Sequence, residues 1–289
     1  MKYSIYPGCS SEGTAISYHH STLEVAKVLG LELKEIEHWN CCGSTVSSSV
    51  IGQFAADVLS ARNLALAEKM GTEDVVATCS SCYTNLGCVN KKFANEKFKN
   101  AANDALSKDD LSYDGKLKVR NILDVMVTDI GLEQIASKVT KPLTGLKVAG
   151  YVGCQTVRAL REFDNWEQPT FLDNIISALG AEPVNFPYKL KCCTGIMNAT
   201  APDITASAVY PILKSAQEAG ADLIVTPCPL CQMNLDAYQV KVNKIFSAKY
   251  NLPVLFFTQL MAIAYGLDRK QAALDYCIVS PNNALKQWM

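Results

Sequence analysis

The sequence predicts an α/β protein of two pseudo-symmetric halves, each built on a mainly parallel, doubly wound sheet. Three observations predict it. Strand-like apolar runs alternate with helical stretches in the same order in both halves, the pattern of βαβ units. A five-cysteine frame occurs twice, with matching cysteines offset by 145, 151, 149 and 149 residues. The 289-residue length is that of two domains at about 150 residues each.

In the first half Lys2–Tyr6 reads as a strand, Thr14–Leu29 as a helix and Glu32–Ile36 as a second strand. A long helix over Val50–Met70 and a third strand over Asp74–Thr78 follow. The second half repeats the order with a strand at Leu146–Tyr151, a helix at Phe171–Leu179 and a strand at Glu182–Asn185. It continues with a helix at Asp203–Ala219, a strand at Asp222–Thr226 and a helix at Leu230–Ser247. Gly30, Gly71, Gly180 and Gly220 stand just past helix ends, where the chain needs a residue that tolerates positive φ. Residues 100–145 read as a helix-containing connector, and a boundary near Lys141–Gly145 divides the chain into domains 1–142 and 143–289. Beyond Pro253 the second half adds an apolar strand and a helix, then a polar tail over Ser280–Met289, expected to be loose.

Lys+Arg 27 against Asp+Glu 28 leaves a net charge of −1, which excludes the basic excess that nucleic-acid binding demands. The N-terminus holds no apolar stretch of secretory length, so a cytoplasmic protein is expected. Residues 250–267 carry no charge, but Asn251, Pro253, Thr258 and Gln259 interrupt them. A span needs about 20 predominantly apolar residues. A strand followed by an amphipathic helix is therefore expected there, and no membrane span.

Twelve cysteines are the informative number. Cytosolic thiols stay reduced, so patterned cysteines there bind metal or do redox chemistry. Cys9, Cys41-Cys42 and Cys79-x-x-Cys82 form the first frame, and Cys154, Cys192-Cys193 and Cys228-x-x-Cys231 the second. Flanking residues repeat too: Tyr6-Pro7-Gly8-Cys9 matches Tyr151-Val152-Gly153-Cys154, and both CxxC motifs continue as C-x-x-C-x-x-N-L. Cys88 and Cys277 have no counterpart and read as small buried apolar residues. All ten framed cysteines fall beyond the carboxyl ends of strands, where open α/β sheets bind ligands.

Three chemistries are open to such a set. Structural zinc takes four ligands in a closed tetrahedron, and a cubane [4Fe–4S] cluster also takes four cysteines. Five per half exceeds both, and adjacent cysteines diverge awkwardly around one ion, which favours a larger iron–sulfur group. A dithiol redox pair needs only one CxxC and leaves three cysteines of each half unexplained. The ferredoxin run C-x₂-C-x₂-C-x₃-C-P is absent, so any relay of cubane clusters belongs to another polypeptide.

The doubled frame C-x₃₁₋₃₉-CC-x₃₃₋₃₈-C-x-x-C resembles the cysteine-rich CCG domain, and the whole chain resembles the heterodisulfide reductase B subunit family. The resemblance implies two facing, Rossmann-like α/β domains, each holding an unusual non-cubane [4Fe–4S] cluster. By that match Cys9, Cys41, Cys42, Cys79 and Cys82 hold the first cluster, and Cys154, Cys192, Cys193, Cys228 and Cys231 the second. It also implies an oxidoreductase that reduces the mixed disulfide of coenzyme M and coenzyme B, the terminal couple of methanogenesis, between the two clusters. The implied partners are a C subunit with cubane clusters and a flavin-containing A subunit. CCG subunits that pass electrons to a quinone or other acceptor in succinate, glycolate or lactate oxidoreductases are the alternative, as is a zinc-binding docking scaffold, with zinc at one or both sites. One departure is Thr194, which follows Cys193 where the family has glycine.

Smaller features complete the reading. The heterodisulfide is anionic, and Arg158 and Arg161, close after Cys154, are the candidate substrate contacts. His38 before Cys41 is a conceivable ligand that a complete cysteine set makes unnecessary, and His19 or His20 a conceivable proton donor. Ser10–Thr14 suit a turn and helix cap.

Overall fold

A computed structural model describes residues 1–44, 47–72 and 74–289. The first half holds strands β1 (Lys2–Tyr6), β2 (Glu32–Glu35), β3 (Asp74–Ala77) and β4 (Lys118–Asn121). The second holds β5 (Lys147–Gly150), β6 (Glu182–Pro183), β7 (Leu223–Thr226) and β8 (Val254–Phe256). The two sheets are ordered β2-β1-β3-β4 and β6-β5-β7-β8, and every pairing is parallel. The repeated cysteines thus belong to a repeated topology.

Parallel pairing requires crossovers, and helices supply them. In the first half these are α1 (Ile16–Leu29), α2 (Ser47–Ile51), α3 (Gln53–Lys69), α4 (Ser80–Lys92), α5 (Glu96–Leu106), α6 (Ile122–Val125) and α7 (Leu132–Ser137). The second half carries α8 (Gln155–Arg158), α9 (Phe171–Ala178), α10 (Met197–Thr200), α11 (Pro202–Glu218), α12 (Pro229–Ala237), α13 (Gln239–Phe246) and α14 (Phe257–Ala264). Gly30, Gly71, Gly180 and Gly220 have φ of +71°, +73°, +82° and +77°, as stop residues should.

Four expectations change. The helix expected over Val50–Met70 breaks at Gly52, whose φ of +85° no helix accommodates. That over Leu230–Ser247 is interrupted at Tyr238, which ends α12 and starts α13. The connector contains β4, an edge strand with two charges in four residues and so without an apolar run to betray it. The helix expected to be amphipathic, α14, is buried on every side, because one face packs on its own sheet and another on α1 of the first half. No helix among the described residues is long and apolar enough to cross a membrane.

The halves share a core. One cluster of buried apolar side chains runs from Tyr3 and Leu64 through Tyr18 to Phe256, Phe257 and Leu260. Tyr18 stacks face to face on Phe256, with ring centroids 4.2 Å apart, and donates to the Pro227 carbonyl at 3.2 Å. The Ser21 and Thr258 hydroxyls meet 2.7 Å apart beside it. The tail is not loose: Leu285 is fully buried and the Trp288 indole N–H donates to the Pro142 carbonyl at 3.0 Å, while just before it the buried Asp236 carboxylate accepts the N–H groups of Ile278 at 2.9 Å and Val279 at 3.1 Å.

Two outcomes follow for stability. Tyr18→Ala, which empties a fully buried aromatic site at the junction, should cost about 3–5 kcal/mol, and Tyr18→Phe about 1 kcal/mol; chemical denaturation measures both. Burial pushes the Asp236 carboxyl up to about 6 from its ordinary 3.8, against the N–H groups of Ile278 and Val279 and the Gln232 amide that favour its charge. The unfolded chain therefore loses this proton first. The contribution is fully present below pH 4 and is lost as pH rises towards 6, a decline of about 2–3 kcal/mol at 1.36 kcal/mol per unit. Asp236→Asn should flatten stability across that window.

Candidate functional site

Strand order reverses at β1, whose neighbours β2 and β3 connect in opposite directions, and again at β5. Such switch points open a crevice beyond the carboxyl ends of the strands. Cys9 lies in the 3₁₀ turn Cys9–Glu12 after β1, and Cys79 caps α4 directly after β3. Cys154 and Cys228 hold the same places at the starts of α8 and α12. Cys41-Cys42 and Cys192-Cys193 arrive from the loops after β2 and β6.

The structure brings each set together. Cys42 Sγ stands 3.5 Å from Cys82 Sγ, and Cys41 Sγ 3.8 Å from Cys9 Sγ. In the second set Cys193 Sγ stands 3.6 Å from Cys231 Sγ, and the Thr194 N–H donates to Cys192 Sγ at 3.3 Å. Across the junction Cys79 and Cys228 stand near enough to perturb each other, Cys228 pushing the Cys79 thiol up and Cys79 helping to lower Cys228. A cavity of about 210 Å³ opens at this junction, lined by all five second-half cysteines. Ser80, Ser81, Gln155 and Thr156 join them, tied across the halves by Ser80–Thr156 at 2.7 Å and Ser81–Gln155 at 2.5 Å. Among the described residues lining the cavity, none is a cation or a carboxylate.

Crowded thiols do not ionise independently. The neighbouring Cys42 and then Cys9 thiols hold Cys41 far below its ordinary value, while Cys9, facing Cys41, is pushed up. Cys228 is lowered by the Cys231 and Cys79 thiols and Cys193 by the Cys231 thiol, so Cys231 is raised. Within each set the thiols therefore perturb one another unequally, some lowered and others raised. Full ionisation, the form that binds metal, needs a positive group among the sulfurs.

The donor set fits an iron–sulfur group. Five thiols converge per half, one more than a tetrahedral ion takes. The sulfurs stand as close pairs, Cys42 with Cys82 and Cys41 with Cys9 in the first set and Cys193 with Cys231 in the second. Gly8 and Gly153, with φ of +77° and +73°, let the backbone pass against sulfur: a Cβ there would lie 3.0 Å from Cys82 Sγ and 2.9 Å from Cys231 Sγ. Thr194 keeps the backbone the glycine has in the first half, φ +72° against +76° at Gly43. Its hydroxyl is tethered to Thr205 at 2.8 Å and to the Cys193 carbonyl at 2.5 Å.

The other residues that the sequence singles out stand away from the sulfurs. Arg158 Nε donates to the Trp166 carbonyl at 3.3 Å, and the Arg161 guanidinium lies 4.2 Å over the Trp166 ring; neither lines the cavity. His38 is exposed, and its carbonyl accepts from Arg62. His19 faces Glu35 at 3.6 Å, and burial lowers its basicity. Cys277 is half-buried, its thiol pushed up to about 12 by burial, whereas Cys88 is exposed on α4, against expectation. Ser10–Thr14 form the turn, but α1 starts after Ala15 without a side-chain cap. Sequence reasoning missed Ser80, Ser81, Gln155 and Thr156. Their signal was position alone, inside or directly after the cysteine motifs, since small polar residues carry no periodicity.

The family description "Cysteine-rich domain", CCG, matches residues 3–87 and 148–236, which contain all ten framed cysteines. The chain belongs to the cysteine-rich CCG domain family. It is 36% identical over 280 residues to the 8-methylmenaquinol:fumarate reductase membrane anchor subunit of Wolinella succinogenes, covering 96% of this chain and 97% of that one. An Archaeoglobus profundus protein, described as like the heterodisulfide reductase B subunit, is 30% identical over 302 residues, covering 99% and 98%. The B subunit of a ferredoxin/F420H2-dependent CoB-CoM heterodisulfide reductase from Methanosarcina acetivorans is 28% identical, covering 95% and 92%. The resemblance to heterodisulfide reductase B subunits therefore extends over nearly the whole chain. Among solved structures, a hypothetical protein from Helicobacter pylori has the same fold, with a TM-score of 0.75 at 15% identity. The match covers 96% of this chain and about half, 52%, of that one.

Gly8→Ala and Gly153→Ala test the close approach. Each strains the backbone and presses on a sulfur, and should cost the metal-free chain about 1–3 kcal/mol in denaturation.

Proposed function

We propose that the chain is the iron–sulfur redox subunit of a multisubunit oxidoreductase, each five-cysteine set holding one non-cubane [4Fe–4S] cluster. The observation that carries this reading is the gathering of a five-cysteine set at the end of each sheet, the second set lining a cavity with no cationic side chain among its described lining residues. When bound, such a group supplies single-electron transfer and affinity for sulfur. The chain's own residues supply the rest. Gly8 and Gly153 admit the sulfurs, the Thr194 N–H donates to Cys192, and Ser80, Ser81, Gln155 and Thr156 offer a neutral polar wall.

The reaction proposed is that of a heterodisulfide reductase B subunit: the mixed disulfide of coenzyme M and coenzyme B takes up two electrons and two protons and leaves as two thiols. Similarity to B subunits over nearly the full length supports it. Two adjacent one-electron sites suit a two-electron bond cleavage. The proposed partners are a C subunit with cubane clusters and a flavin-containing A subunit.

A second reading has its own support. A fumarate reductase subunit is 36% identical, and the cavity lining carries no cation for a sulfonate or phosphate, while Arg158 and Arg161 are engaged with Trp166. In that reading the chain exchanges electrons with a quinone.

Anaerobic purification with native partners and analysis of iron, sulfide and zinc tests the shared part. About eight irons and no zinc are expected for two [4Fe–4S] groups, and zinc alone overturns the reading. Turnover of the heterodisulfide with a reduced viologen dye supports the first reaction, and turnover of a menaquinone analogue without it the second. Cys42→Ala or Cys193→Ala should abolish heterodisulfide turnover, and full activity with either site lost would exclude a two-site reaction.

A further inference from the structure

The repeat contains four residues besides cysteine and glycine whose side chains act on the same short backbone. Tyr6 Oη donates to the carbonyl of Asn40, the residue before Cys41, at 2.7 Å. Tyr151 Oη donates to the carbonyl of Lys191, the residue before Cys192, at 2.5 Å. From the opposite side Asn85 Nδ2 donates to the Cys42 carbonyl and, at 2.9 Å, to Ser60 Oγ, which itself donates to that carbonyl at 2.7 Å. Asn234 Nδ2 donates to the carbonyls of Cys193 and Gly195, each at 2.8 Å. Tyr6, Tyr151 and Asn234 are fully buried.

These contacts explain why Y-x-G-C and C-x-x-C-x-x-N-L recur as wholes. The tyrosine reaches from the end of the first strand, the asparagine from the CxxC helix, and between them lies only the adjacent cysteine pair. Two consecutive side chains diverge unless the peptide joining them is held in one orientation. Here it is held at both ends, from the same two elements that carry the remaining cysteines. Each tyrosine also lies among four sulfurs of its own set, Tyr6 near Cys82, Cys42, Cys41 and Cys9, and Tyr151 near Cys231, Cys193, Cys154 and Cys192.

We propose that Tyr6 with Asn85, and Tyr151 with Asn234, are positioning residues that clamp the adjacent cysteine pair at both ends and fix how its two sulfurs meet an iron–sulfur group. The inference rests on the iron–sulfur reading above. The clamp acts through the backbone, and none of the four residues is a ligand in it.

The test uses the anaerobically loaded full chain and its Tyr6→Phe, Tyr151→Phe and Asn234→Ala variants. Tyr151→Phe should alter the Mössbauer and electron paramagnetic resonance signature of one iron–sulfur population and speed its loss to a chelator by about 10–100-fold, leaving the other population unchanged. Tyr6→Phe should do the reverse. In the metal-free chain, amide exchange should accelerate at residues 192–194 in Tyr151→Phe and at residues 41–43 in Tyr6→Phe. If Asn234→Ala does not fold, the tyrosine variants, which lose only a hydroxyl, carry the test. Wild-type signatures, loss rates and exchange in the variants overturn the clamp alone, as does equal loss from both populations, the mark of general destabilisation. A wild-type chain that binds no iron overturns the iron–sulfur reading, and the positioning role with it.

Discussion

Sulfurs less than 4 Å apart repel one another once ionised, and this fold commits five to the end of each sheet. Ordinary folded proteins avoid such crowding or lock it into disulfides. Here the arrangement is held by what surrounds it: parallel strands aim three loops at one crevice, and glycine removes the Cβ that would obstruct a sulfur. Neighbouring thiols ease part of the charge load, as Cys42 and Cys9 do beside Cys41, which they hold well below its ordinary value. That compensation is partial, and it makes the chemistry of the site intelligible. A group that brings positive charge to all five sulfurs removes the penalty that the fold builds in.

The same constraint explains how the halves meet. A crevice at a strand-order reversal is open to water unless something covers it, and each half covers part of the other, leaving Cys9, Cys41 and Cys192 exposed. Tyr18 reaches across to Phe256 and Pro227, while Ser80 and Ser81 reach to Thr156 and Gln155. Small hydroxyl side chains suit this seam because they satisfy one another without bringing in charge. Charged groups that bridge the halves stand off from the cavity, as Lys91 and Glu162 do at 2.8 Å, and others lie within one half, Arg120 binding Asp74, Asp124 and Asp129 at 3.2, 2.7 and 2.6 Å.

Much of this is legible in the sequence. The inner strands β3 and β7 read as apolar runs, and the cysteine frame, being covalent spacing, survives any folding detail. What escapes has weak local signals. β4, Lys-Val-Arg-Asn, is an edge strand that borrows its register from β3 rather than from its own composition. α14 reads as amphipathic because Thr258 and Gln259 are polar, yet both are buried and satisfied, Gln259 by the carbonyls of Ala272 and Ala273. The break at Gly52 rests on a single glycine inside a helical pattern, a weak local signal, and that at Tyr238 on tertiary geometry, its hydroxyl donating to the Asn198 carbonyl at 2.6 Å. At the site, spacing identifies the cysteines but not their polar neighbours, whose roles depend on which helix end faces which.

The repeat is not perfect, and one deviation stands beside the sulfurs. A threonine at φ +72° is a strained choice where the first half uses glycine, and two hydroxyl contacts hold it there. The halves therefore offer two similar but unequal settings for the same chemistry. Their junction has a further consequence. A lone repeat would expose Tyr18 or Phe256 and would have to find a second copy by diffusion, at whatever concentration the cell supplied. With both repeats on one chain, the encounter is intramolecular, at an effective concentration in the millimolar range for short linkers. The two sulfur sets therefore remain neighbours however dilute the protein, and neither can be exchanged for an identical twin.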